Sequence, residues 1–74
     1  MQKTATGIAR AIDRIGGQHE LARRIGVSQQ AVHQWYSLGY VPPKRIPLIS
    51  KITGINRIDL LNPRLRAIAL YKGR

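Results

Sequence analysis

Cysteine is absent from the 74 residues, and so is phenylalanine. Without cysteine there is no disulfide framework and no thiolate zinc site, which suits a reducing compartment. Acidic residues are scarce: Asp13, Glu20 and Asp59 are the whole set, and no two of them pair at helical spacing. His19 and His33 fall on different helical segments with no evident third ligand. Catalysis and metal binding both need several convergent groups. The expectation is therefore no enzyme, no metal, no cofactor and no small-molecule substrate. Long apolar runs are missing as well. Nothing approaches the roughly 20 residues that a helix needs to span a bilayer, and the opening MQKTATGIAR has no apolar export core. A cytoplasmic protein with no membrane partner is expected. Aromatics are limited to one Trp and three Tyr, with no exposed platform pattern of the kind that stacks single-stranded bases.

Positive charge is what the sequence has in excess. Thirteen Lys and Arg against three acids give a net charge of +10. Such a surface repels itself unless a polyanion is present, and nucleic acid is the commonest one. A merely solubilising surface mixes both signs. The bases run from Lys3 to Arg74 instead of bunching in a tail, so the charge belongs to a folded domain. At this length there is room for one domain with a small core, and a partner subunit is plausible.

Glycine and proline divide the chain. In TGIARAIDRIGG, residues Ile8, Ala11, Ile12 and Ile15 recur at i, i+3, i+4, i+7, one face of a helix that Gly16 ends. QHELARRIG repeats the pattern with Leu21, Ala22 and Ile25, and Gly26 stops it. Glu20 is then a first-turn acid, and Arg23 and Arg24 sit at the carboxyl end, where cations suit the helix dipole. VSQQAVHQWYSLG is a third helix, capped by Ser28 and closed by Gly39. After the connector YVPPKR, the stretch IPLISKITG is a fourth, with Pro47 confined to its first turn. Its inner face is Ile46, Ile49 and Thr53, or Leu48 and Ile52. INRIDLLNP is a short fifth turn that stops before Pro63. The tail RLRAIALYKGR is open between a helix, with Leu65, Ile68 and Leu70 or Tyr71 as its stripe, and an extended segment.

The second and third helices carry the functional signal. A helix-turn-helix needs a small residue where its helices cross, a Gly at the turn, and apolar residues on the inner face only. Ala22, Gly26, the Leu21/Ile25 pair, Val27 and the Val32/Trp35 pair meet those needs at compatible spacing. At about 100° per residue, Gln29, His33, Ser37, Gln30 and Gln34 fall at roughly 0°, 40°, 80°, 100° and 140°. Ala31, Trp35 and Val32 fall at roughly 200°, 240° and 300°, with Tyr36 on the border near 340°. The apolar arc packs down, making Trp35 a core residue, and the polar arc projects. Phosphates want charge, whereas base edges want paired donors and acceptors. A Gln amide offers both and binds adenine N6 and N7 bidentately. Gln29, Gln30, His33 and Gln34 are thus the candidate base readers.

Backbone contacts come from elsewhere. Lys44 and Arg45 open the helix after the recognition helix, where charge and free N–H groups suit a phosphate. The hydroxyls of Ser28, Ser37 and Tyr40 add candidate backbone contacts. Arg10 and Arg14, one turn apart on the first helix, are either phosphate contacts or solvated charges.

GGQHELARRIGVSQQAVHQW resembles the helix-turn-helix of lambdoid phage repressors and Cro proteins, and VPPKRIPLISKITG with DLLNP resembles Cro/YdaS-like prophage regulators. The resemblance runs from about Ile8 to Pro63. It implies a small domain that binds operator DNA as a homodimer and represses transcription. Gln18, Gln29, Gln30 and Gln34 match the glutamine pattern of the 434 type of repressor. That match implies a phosphate contact for Gln18, base contacts for Gln29 and Gln30, and a base or phosphate contact for Gln34. His33 departs from the pattern, so no operator sequence follows. The fold expected is an all-α, five-helix helix-turn-helix domain over residues 1–63, with 64–74 as a tail that is a candidate dimerisation element. Three rival readings remain: an antitoxin-type autoregulator with a toxin partner, an architectural or excisionase-like DNA binder, and an RNA binder.

Overall fold

A computed structural model describes residues 6–72, with side chains through residue 68. Helix α1 spans Gly7–Ile15, α2 Gln18–Ile25, α3 Gln29–Leu38, α4 Ile46–Thr53, α5 Arg57–Leu60 and α6 Pro63–Lys72; a 3₁₀ turn, Pro43–Arg45, leads into α4. No strand occurs among the described residues, so the all-α class holds. Five helices are expected and six occur among the described residues, because the segment after Asn62 is helical from Pro63. Asn62 starts it: its Oδ1 accepts from the Arg64 N–H at 2.9 Å, and Pro63 stands at a first-turn position where its missing N–H costs nothing.

Local chemistry accounts for most boundaries. Thr6 and Ser28 cap α1 and α3, their hydroxyls accepting from Ala9 N at 3.1 Å and Ala31 N at 3.0 Å. Asn56 does the same for α5 through Ile58 N at 2.9 Å. Pro47 lies in the first turn of α4, as its geometry requires. Gly16, Gly26, Gly39 and Gly54 each follow a helix in the left-handed region, as their spacing predicts.

The core gathers Ile8, Ala11 and Ile12 of α1, Leu21, Ala22 and Ile25 of α2, Val32 and Trp35 of α3, Ile46 and Ile49 of α4, and Val41, Ile55 and Leu60. Tertiary packing settles the choice of α4 face in favour of Ile46, Ile49 and Thr53, while Leu48 is 43% exposed. The buried Thr53 hydroxyl donates to Ile49 O and accepts from Ile55 N, at 2.6 and 3.3 Å, so its polarity is satisfied. Leu65 and Ile68 of the tail face outward, at 42% and 54% exposure, instead of forming a core stripe. Leu70 and Tyr71 lie outside the residues whose side chains are described.

Side-chain links between distant segments complete the frame. Arg10 of α1 pairs with Asp59 of α5 at 3.0 Å. Arg14 Nη1 donates to Thr53 O, near the carboxyl end of α4, at 3.1 Å. Val41 N–H donates to Leu60 O at 2.9 Å, fastening the connector after α3 to α5. Arg66 Nη2 reaches Asp59 O at 3.4 Å, which ties α6 to the same corner.

Candidate nucleic-acid interface

The α2–turn–α3 unit is built around one carbonyl. Ala22 O accepts from Gly26 N at 2.9 Å and from Val27 N at 3.1 Å. This closes α2 with the backbone reversal that only a residue at positive φ permits; Gly26 has φ 74°. Ala22 itself is buried at 4% exposure, which lets α3 cross α2 closely. Val27 is half-buried against the core behind the turn. Leu21 and Val32 are fully buried in the common core.

With that face fixed, the other is fixed too. Gln29, Gln30, His33, Gln34 and Ser37 are all exposed, whereas Ala31 and Tyr36 are half-buried. The division follows the 100° wheel residue for residue. Ser28, Gln30, Ala31, His33, Gln34 and Ser37 line one shallow depression along the outer side of α3. Among the described residues this helix carries no Lys, Arg, Asp or Glu. His33 also has a feature that was not foreseen: its ring lies against that of Tyr36, centroids 6.4 Å apart and planes 30° from parallel. The i, i+3 spacing of two aromatic rings on one helix was the signal available for it.

Gln18 is half-buried at the start of α2 and lines a cleft with Arg10, Asp13, Gly17 and Tyr36. The amino end of α2 therefore opens beside α3. The N-cap of α2 is Gly17, which offers no side-chain acceptor to the first N–H groups. Lys44 is exposed and Arg45 half-buried in the 3₁₀ turn, and Tyr40 is half-buried on the connector between α3 and that turn.

The arginines divide by partner. Arg10 and Arg14, read from the sequence as phosphate contacts or solvated charges, both have internal partners, Asp59 and the Thr53 carbonyl. Both stay exposed, and these contacts link α1 to α5 and α4. Arg23 and Arg24 both donate to Glu20 on their own helix. Hydrogen bonds from Arg23 and then Arg24 hold the Glu20 carboxyl below its ordinary range, and Glu20 in turn raises Arg23. A dipole role at the helix end is thus joined by an ion-pair role one turn back.

Among the described residues no three His, Asp or Glu side chains converge as a metal site requires, and no helix is long and apolar enough to cross a membrane. No curated protein and no solved structure matches the chain. One family does match, the bacterial toxin YdaS, over residues 8–62. That span starts at the second residue of α1 and ends just before α6, so it takes in the helix-turn-helix, the 3₁₀ turn and the α4–α5 support. With the larger part of its length matched, the chain belongs to the bacterial toxin YdaS family.

Proposed function

We propose that the chain is a sequence-specific DNA-binding repressor of the Cro type, with α3 as a recognition helix in the major groove. The observation that carries this reading is the separation of faces on α3. Val32 and Trp35 are buried while Gln29, Gln30, His33 and Gln34 stand exposed together, on a helix without formal charge in a chain of net charge +10. Charge on that face would grip any duplex. Amides select, because each can pair its donor and acceptor with one base edge, at about 1–3 kcal/mol of discrimination per well-made bidentate contact.

In this proposal Gln29, Gln30, His33 and Gln34 read bases. Gln18, at the open amino end of α2, takes a phosphate, as do Lys44 and Arg45; Ser28, Ser37 and Tyr40 add hydroxyls. Arg10 and Arg14 contribute mainly by holding the scaffold, given their internal partners. Two copies occupy a pseudo-palindromic operator with half-site centres about 34 Å apart. The phosphates between them offset the mutual repulsion of two basic chains. The family is one of bacterial toxins. Occupying host promoters through the same face would itself arrest growth, so toxicity is compatible with repression.

A gel-shift series at fixed salt tests the division of labour. Gln29→Ala should lose preference among duplex sequences while keeping non-specific binding, and should relieve any growth arrest on expression. Lys44→Ala should weaken all sequences alike and flatten the salt slope by about one. If the two variants behave identically, the assignment of readers and clamps is wrong. Equal affinity for duplex RNA would also sink it, because the deep groove of A-form RNA does not admit a recognition helix.

A further inference from the structure

A second surface lies beside the reading face. Trp35, Leu38, Val41, Pro42, Pro43 and Leu65 line a mainly apolar groove of about 330 Å³ between the end of α3, the connector and α6, with Gln34 and Tyr40 on the edge it shares with the reading face and Asn62 at the start of α6. Leu38 at 53% and Leu65 at 42% exposure are two of the four exposed large apolar side chains among the described residues. Its floor is rigid: Trp35 and Val41 belong to the core, and two successive prolines restrict the adjoining backbone. The groove therefore exists before anything enters it.

Charge says what fits. Lys44, next to Pro43, and Arg64, next to Leu65, are both exposed. None of the three acids lines the groove: Glu20 is held by Arg23 and Arg24, Asp59 by Arg10, and Asp13 lines the cleft between α1 and α2. A second copy would bring a further +10 to a rim that offers it no acidic counterpart. We propose that this groove docks an acidic amphipathic segment of another protein, which seats two apolar side chains between Leu38 and Leu65 and sets its carboxylates beside Lys44 and Arg64. Exposed leucines flanked by like charges match a partner with the opposite sign around an apolar centre.

Trp35, the chain's single Trp, forms part of the wall and reports occupancy. The probe is a synthetic helical peptide with Leu at i and i+4 on a Glu-rich frame, titrated against the full chain while Trp35 emission is followed. Saturable binding is expected. Leu38→Ala and Leu65→Ala should each weaken it by about tenfold, the order expected when one buried Leu side chain is lost, while both variants still shift duplex DNA. Lys44 would serve both partners, so the separation rests on Leu38 and Leu65, which have no part in the DNA-binding reading: duplex binding kept while peptide binding falls assigns the groove on its own. Two control peptides keep the test decisive even if a variant folds poorly: Leu→Ser in the peptide should abolish binding, as should Lys in place of Glu. No saturable signal, or equal binding of either control, overturns the proposal. So does a free dimer that Leu65→Ala turns to monomer in sedimentation, because the groove would then belong to a second copy.

Discussion

Replacing Gly7 by Ala sets local and tertiary effects directly against each other. Gly7 is the first residue of α1, and in a helix Gly→Ala gains about 0.5–1 kcal/mol by removing backbone freedom from the unfolded chain. The fold reverses that sign. A Cβ on Gly7 would stand 2.1 Å from the Asp59 carbonyl oxygen and 2.6 Å from its carbon. Both are backbone atoms, so no flexible side chain can swing aside; α1 and α5 must separate. Forced overpacking of this kind costs typically 1–3 kcal/mol. An overlap as close as 2.1 Å puts the cost in the upper part of that range, about 2–3 kcal/mol, so with the helix gain subtracted the net loss is about 1–2.5 kcal/mol, against a total stability of roughly 4–11 kcal/mol for a domain of this length. The melting temperature should fall by about 4–20 °C. Thermal unfolding followed by circular dichroism measures the loss. Backbone amide NMR shifts locate it, and they should concentrate at Asp59 and its partners Arg10 and Arg66. A variant as stable as the parent, or more stable, would refute the close approach of α1 to α5. Gly26→Ala is the contrasting case: open space surrounds its Cβ position, but φ is 74°. The left-handed conformation should cost it about 1–2 kcal/mol and leave α5 undisturbed.

Two further outcomes are expected. Ser28→Ala removes the acceptor for Ala31 N–H and should lower stability by about 1 kcal/mol, measured as a shift in urea midpoint at unchanged slope; no change would mean that water replaces the cap without loss. The Glu20 carboxyl is held low by Arg23 and Arg24. Its contribution is therefore complete above its unfolded-state pKa and lost as pH falls through the lower folded-state value. Melting temperatures of the parent and of Glu20→Gln should converge on acidification below the ordinary carboxylate range and separate above it, less so at high salt. A difference that grows toward acid would contradict the sign.

Much of the α2–turn–α3 unit was legible because its signals are local. Ser28 caps, Gly26 reverses the chain, and the 100° step places Val32 and Trp35 opposite Gln29, Gln30, His33 and Gln34; each follows from residues a few positions apart. The length of the tail helix was not legible. Its start depends on Asn62 and Pro63, but its hold on the body depends on Arg66 meeting Asp59. Nor could the sequence choose between two inner faces of α4, since Ile46/Ile49 and Leu48/Ile52 satisfy helical spacing equally well.

The sequence by itself determined the all-α class, the four glycine stops, the helix-turn-helix and the uncharged polar face of α3, because periodicity, capping and turn chemistry act within one or two helical turns. Only the tertiary structure decided the partners of Arg10 and Arg14, which lie 49 and 39 residues away. It also decided the buried face of α4, the need for no side chain at Gly7, and the groove between α3 and α6. Those depend on which surfaces meet once several helices compete for one small core. A guanidinium that looks free for phosphate along the sequence is tied across the surface to another helix when a carboxylate or a helix-end carbonyl is packed beside it.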